Sequence, residues 1–299
     1  MQPFSFPQNK IFFVAEAGVN HQGDLTIAKQ LIDAAVEAGA DAIKWQKRTP
    51  LMCVPPHLWD VQRQSPWGIM THKEYRQKIE FGPSDYFVIK EYCRKKGILW
   101  FASPWDTLSV DVLWQLDVPL FKIASACVTD LEIVECVAEK GKSVVMSTGM
   151  CTLDEIKKAV SILRGKVPQL ALLCCTSNYP ASIRDLNLNR IHTLKAEFPD
   201  CIIGYSGHEV GLWTTLCAVA MGAQIIERHL TLNRSLPGSD HAASVEPQGL
   251  KKLITEIRNF EVARGSGDIR VLECEKASIA RLRPATENIY PEEPCRLQQ

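Results

Sequence analysis

Short apolar runs alternate with amphipathic stretches along nearly the whole chain, and this rhythm limits the fold more than any other feature. The runs are IFFVAEA from Ile11, DAIKWQ from Asp41, ILWFAS from Ile98, LFKIAS from Leu120, SVVMST from Ser143, LALLCC from Leu170, CIIGYS from Cys201 and QIIERH from Gln224. Between them lie helix-like stretches over Leu25–Ala38, Ser84–Lys96, Leu131–Lys140, Leu153–Leu163 and Leu212–Met221, with a last one over Pro247–Ala263. Gly39, Gly97, Gly141 and Gly222 stand just before strands, where a left-handed residue ends a helix. Strand plus helix, repeated at a spacing of roughly 30 residues, predicts a parallel sheet with helical crossovers. Eight such units in about 250 residues predict an α/β fold of the closed (β/α)8, or TIM barrel, type. The rival is an open doubly wound sheet, which usually carries a G-x-G-x-x-G turn after its first strand; here that turn reads AEAGVNHQG.

The rhythm assigns residues 1–267 to one barrel domain and leaves 268–299 as a C-terminal tail, expected to be extended or partly helical. Within the barrel, residues 47–83 form a long connection after the second strand, rich in Pro, Trp and charge. Loops of that length tend to be functional or disordered, and in a barrel this one falls where a lid belongs. The 34 Lys and Arg balance the 34 Asp and Glu, so nothing suggests a nucleic-acid partner or a polybasic membrane anchor. No apolar run is long enough to span a bilayer and no signal peptide is visible. The 11 cysteines are odd in number, lack a C-x-x-C pair and lie mostly in apolar runs, as Cys174 and Cys175 do. A reduced, cytoplasmic protein is expected.

Alternate residues of a barrel strand point inward. Parity separates Lys44 and Gln46 from Ile43 and Trp45, and Lys122 from Phe121 and Ile123. It separates Ser206 and His208 from Ile203 and Tyr205, Glu227 and His229 from Ile226 and Leu230, and Glu16 from Phe13 and Ala15. The apolar sets belong against the helices, so the polar sets point into the barrel, at the strand ends where barrel enzymes keep their chemistry. A polar cap is the bland alternative, but so many polar groups are costly to bury without a ligand. Lys44 and Lys122, with Ser103, Ser125, Ser147 and Thr148, suit a phosphorylated or multiply anionic small molecule. His208 and His229 end adjacent strands and can share a metal, although two His alone are a weak signal. Glu16 is open to roles as acid/base, water-holding group or ion-pair partner of Lys44. Asp240, in LPGSDH, reads first as a turn residue. GYSGHE lacks the second Gly of a nucleophile elbow, and EKGKSVV lacks the first Gly of a phosphate loop.

AEAGVNHQGD (Ala15–Asp24), KWQKRTP (Lys44–Pro50), KIASA (Lys122–Ala126), STGM (Ser147–Met150), CTSNYP (Cys175–Pro180), GYSGHE (Gly204–Glu209), ERHLTL (Glu227–Leu232) and GSDHAAS (Gly238–Ser244) stand in that order. Together they resemble the sialic acid synthase family over roughly Ile11 to Gly267. The resemblance implies a (β/α)8 barrel that condenses phosphoenolpyruvate with a hexosamine such as N-acetylmannosamine, giving a nine-carbon 2-keto acid and phosphate. It implies a divalent metal, Mn2+ or Mg2+, held by His208 and His229. It implies substrate contacts from Lys44, Lys122, Ser103, Ser125, Ser147 and Ser206, and a catalytic Glu16 beside the attacking water. Gln46, Tyr179 and Asp240 match positions on the sugar side. Ser177 stands where some members carry an Asn on the phosphate.

Two departures shape the expectation. Cys127 occupies a position that is often Glu in the family, and a thiol replaces a carboxylate only if its pKa is strongly lowered. The family's antifreeze-like domain, which reaches into a partner's barrel, has no counterpart in the 299 residues, so a homodimer is expected without that swap. One alternative is an ulosonate synthase acting on a sugar phosphate, with Arg48, Arg63 and Arg76 of the long loop as its only nearby basic pocket. The other is an inactive sugar-binding barrel.

Overall fold

A computed structural model describes residues 4–283. Eight strands form one parallel sheet: β1 (Phe12–Gly18), β2 (Ala42–Lys47), β5 (Leu99–Pro104), β6 (Leu120–Ile123), β7 (Ser143–Ser147), β8 (Leu170–Cys175), β9 (Ile202–Gly207) and β10 (Ile225–His229). Their order is β5-β2-β1-β10-β9-β8-β7-β6, so each strand lies beside its neighbour in the barrel sequence. The end strands β5 and β6 pack against each other without a hydrogen-bonded ladder, and the sheet is a nearly closed barrel. The crossovers are α1 (Leu25–Ala38), α4 (Pro83–Lys96), α5 (Thr107–Gln115), α6 (Leu131–Glu139), α7 (Leu153–Leu163), α8 (Arg190–Glu197), α9 (Trp213–Ala220) and α10 (Pro247–Ala263).

Local chemistry explains the element ends. Asp24 caps α1, its side chain accepting from the Thr26 and Ile27 amides, and Gly39 ends it at φ 83°. Thr152 and Glu155 form a capping box on α7. The apolar parity set, including Phe13, Ile43, Trp45, Phe121 and Ile226, is fully buried in the main core.

The connection over 47–83 is not a bare loop. It folds as α2 (Pro50–Cys53), an antiparallel hairpin of β3 (Gln62–Ser65) and β4 (Gly68–Thr71), and α3 (His72–Ile79). Thr49 ties it to the segment after β5, donating its amide to Asp106 at 2.6 Å and its hydroxyl at 3.0 Å. Val19, Tyr75 and Ile79 form a small separate core under the insert.

Contacts divide the chain after Glu261, where the barrel unit ends and a small second unit begins. In the described part of that second unit, a 3-10 turn over Glu273–Glu275 leads into α11 (Lys276–Leu282). The remainder of the expected tail, residues 284–299, lies outside the described residues. Among the described residues every cysteine is a free thiol, and no helix is long and apolar enough to cross a membrane.

Candidate active site

Parallel register brings the polar ends of the strands to one level. Glu16 on β1 is paired with Lys44 on β2 and with His229 on β10. Gln46 is paired with Ser103, and Ser206 with both Glu227 and Cys175. These side chains open into a cavity of about 160 Å³. Glu16, Lys44, Gln46, Ser103, Lys122, Ser125, Ser147, Ser177, Tyr179, Ser206, His208 and His229 all line it. Asp240 does not, but stands beside it, its Oδ2 3.6 Å from His229 Nδ1. Among the lining residues outside the expected set, Glu227 and Cys175 carry titratable side chains. Glu227 had been placed inward by parity without a role. Cys175 had been read as core; Cys174 is fully buried there, whereas Cys175, one residue on, faces the cavity.

The two lysines differ sharply. Lys44 Nζ lies 2.7 Å from Glu16 Oε2 and 3.8 Å from Glu227 Oε1, and donates to Ser103 Oγ at 3.0 Å. Burial works to lower its pKa, but the two carboxylates outweigh it and the net shift is upward. Lys122 is only 2% exposed, and its ammonium donates to Ser147 Oγ at 2.6 Å and to the Ile123 carbonyl at 3.0 Å. It forms no ion pair among the described residues, and burial lowers its pKa.

The carboxylates also diverge. Burial pushes Glu16 upward, and the pull of Lys44 does not cancel it. Its other oxygen accepts from Gln46 Nε2 at 3.0 Å. For Glu227, burial is outweighed by Lys122 and Lys44, and the pKa falls. Two carboxyls so separated can split acid and base roles. Gly149 allows a close approach of the serines that line the cavity. A Cβ there would meet Ser177 Oγ at 2.3 Å and Ser125 Oγ at 3.0 Å, and its amide donates to Ser125 at 3.0 Å. Gly18, at φ 53°, likewise leaves room for Asp240 and Gln46.

The two histidines are neighbours, their ring centroids 5.3 Å apart, and the Tyr179 ring lies 4.1 Å from His208. His208 Nδ1 meets the Thr176 carbonyl at 2.8 Å and donates to it; burial works to lower the pKa of this imidazole, but Cys175, the Thr176 carbonyl and Glu227 bring it up. Burial pushes His229 down to about 3, and its Nδ1 is buried without a hydrogen-bond partner. Two imidazoles with open nitrogens fit a divalent cation. Among the described residues no group of three or more His, Cys, Asp or Glu is arranged to hold a metal. Cys175 Sγ lies 3.8 Å from His208 Nδ1; burial would raise its pKa, but His208, Ser125 and Lys122 bring it down to about 7. Cys127 is different: burial pushes its thiol up to about 12, so it stays neutral and is no substitute for a carboxylate.

A barrel with paired lysines, hydroxyls and imidazoles at its mouth belongs to the class of barrel enzymes that act on small anions. The chain belongs to the NeuB family, whose model matches residues 31–269. It is 39% identical over 277 residues to the N-acetylneuraminate-9-phosphate synthase of Homo sapiens, covering 92% of this chain and 77% of that protein. It is 39% identical over 264 residues to the N,N'-diacetyllegionaminic acid synthase of Legionella pneumophila subsp. pneumophila, covering 86% and 74%. It also resembles the solved N-acetylneuraminic acid (sialic acid) synthetase from Leptospira borgpetersenii serovar Hardjo-bovis in complex with citrate. That match has a TM-score of 0.82 and 36% identity, and covers 94% of each chain. The chain is an enzyme of this synthase type.

Proposed function

We propose that the chain condenses phosphoenolpyruvate with the open-chain form of a hexosamine such as N-acetylmannosamine, giving a nine-carbon 2-keto sugar acid and phosphate. The observation that carries this reading is Lys122, a buried ammonium with no carboxylate within ion-pair distance among the described residues, Glu227 acting on it only from farther off. A buried charge left unpaired costs several kcal/mol, which an incoming anion offsets. Phosphoenolpyruvate brings two anionic groups, and Lys122, Ser147 and Ser125 form a donor set for one of them. Lys44 and Ser103 stand ready for the other. The named products of the human and Legionella relatives point to the same acceptor class.

The residues divide the chemistry between them. Carbon 3 of the enol attacks the sugar aldehyde, a C–C bond forms, and positive charge develops at carbon 2. Water adds there, and the tetrahedral intermediate breaks its C–O bond to release phosphate. Glu16, with its raised pKa, takes the proton from that water. Gln46, Tyr179 and Asp240 hold the sugar, with Gln46 fixing one Glu16 oxygen. A divalent ion, Mn2+ or Mg2+, on His208 and His229 supplies Lewis-acid polarisation of the aldehyde when bound.

The test is a screen of candidate sugars with phosphoenolpyruvate and Mn2+, read by product mass. A product equal to the sugar plus phosphoenolpyruvate plus water, less phosphoric acid, supports the reading; no new mass with any hexosamine overturns it. In calorimetric titrations with Mn2+, His208→Ala and His229→Ala weaken binding and remove most turnover. Unchanged affinity in both variants rules out the ligand pair.

A further inference from the structure

The chain leaves β10 at His229 and returns beside it at Val245, where Leu230 and Val245 form a parallel bridge. The Val245 amide donates to the His229 carbonyl at 2.7 Å, and the Thr231 amide to the Val245 carbonyl at 3.0 Å. Asp240 lies in the loop closed by these bonds. Backbone pairing fixes only the base of the loop, so side chains must place the rest of it.

Asn20, in the turn after β1, reaches both legs of this loop. It is 3% exposed, and its Nδ2 donates to the Leu230 carbonyl and to Ser244 Oγ, each at 2.9 Å. Ser244 Oγ in turn donates to the Asp240 carbonyl at 2.7 Å. The direction of this relay is fixed at both ends. A carbonyl oxygen only accepts, so the Asn20 amide must present its nitrogen to Leu230. The Ser244 proton goes to the Asp240 carbonyl, so Ser244 accepts the second amide hydrogen. Asn20 and Ser244 both stand outside the residues that line the cavity. Gln22 adds a second tie, its Nε2 3.1 Å from His241 Nε2, while His241 Nδ1 lies 2.7 Å from Thr231 Oγ1.

The loop presents the Asp240 carboxylate to the site. Ser239 donates to its Oδ1 at 2.6 Å, and its Oδ2 is 3.6 Å from His229 Nδ1. A Cβ on Gly18 would sit 3.0 Å from that same oxygen, so the carboxylate occupies a narrow slot. His229 is held separately by the sheet, paired in register with Glu16. Lys122 and Ser147, on the phosphoenolpyruvate side, come from β6 and β7 and take no part in the relay. We propose that Asn20 is a positioning residue for the acceptor. Through Leu230 and Ser244 it sets where Asp240 stands, and so governs acceptor binding without touching substrate. The proposal rests on the condensation reading, in which Asp240 holds the sugar.

The experiment measures steady-state kinetics in wild type, Asn20→Ala, Ser244→Ala and the double variant. The substrates are phosphoenolpyruvate and N-acetylmannosamine, or the best hexosamine of the acceptor screen, with Mn2+. Each single variant should raise the acceptor KM about 10-fold, the effect of one lost buried hydrogen bond. The KM for phosphoenolpyruvate and the calorimetric Mn2+ affinity should stay within about 2-fold of wild type. The double variant should be no worse than the poorer single one, since both changes break the same relay. A general loosening of the barrel would move all three constants together, and that result overturns the proposal. An unchanged acceptor KM, or additive losses in the double variant, also overturns it. If Asn20→Ala does not fold, Ser244→Ala decides by the same constants. Wild type that makes no product with any hexosamine overturns the condensation reading, and the role of Asn20 with it.

Discussion

Glu16 concentrates the chemistry of the cavity in one carboxyl. It is fully buried, ion-paired to Lys44 and hydrogen-bonded to Gln46. A base must be deprotonated to act, so activity falls as pH drops through its raised pKa. The acid limb of kcat/KM should therefore lie above the usual carboxylate range. Glu16→Gln should cut turnover by about 100-fold or more and remove that limb. Near-normal turnover with the limb intact would assign Glu16 a structural role. Residues of this kind were legible because parity along a strand is a two-state signal. Lys44 and Lys122 each stand between two large apolar neighbours. Cys175 escaped because LALLCC is apolar on both faces, and a thiol reads as core. Its position at the carboxyl end of the strand was the available clue. Asp240 was ambiguous for a different reason, since a turn aspartate beside a glycine needs no ligand to explain it.

Among the elements, β9 leads directly into His208 and β10 ends in His229, and a buried brace joins their ends. Arg228 donates to Glu209 Oε1 at 2.9 Å, to Thr215 Oγ1 at 2.6 Å and to the Glu209 carbonyl at 2.7 Å. The Tyr205 hydroxyl donates to the other Glu209 oxygen at 2.8 Å. Glu209 follows His208 in sequence and Arg228 precedes His229, so the brace fixes where both imidazoles stand. Glu209→Ala leaves the guanidinium buried without its carboxylate, and should cost about 3–5 kcal/mol in a urea or thermal melt. Replacing both partners by apolar residues of similar volume should recover most of that stability. A loss below about 1 kcal/mol for the single change would show that the brace is dispensable. The helices anticipated from amphipathic stretches share strong end signals, as at Asp24 and Gly39 of α1. The insert offered a capping box at Thr71 and Glu74 but no apolar stripe behind it. HKEYRQKI is mostly charged, and QRQS shows no apolar alternation, so α3 and the hairpin form through Tyr75, Ile79 and the turn rather than through a readable stripe. The polar helix α8 was missed for the same reason.

At the scale of the whole molecule, a neutral chain meets its anions with local charge. The barrel gathers strand ends far apart in sequence, and Glu16, Lys122 and His229 meet only because eight strands curl to bring them together. The rhythm of apolar runs made that architecture readable, since each unit repeats the same pattern. The insert was less readable, because it follows no repeat. The central claim is that the barrel mouth breaks the C–O bond of phosphoenolpyruvate as it forms a new C–C bond. The most direct measurement uses phosphoenolpyruvate labelled with 18O in the oxygen that bridges carbon 2 and phosphorus, with a hexosamine or its 6-phosphate as acceptor. Mass spectrometry of the released phosphate should find the label there, in step with formation of the sugar acid. Label retained on the carbon product, or phosphate released without a sugar acid, would contradict the account.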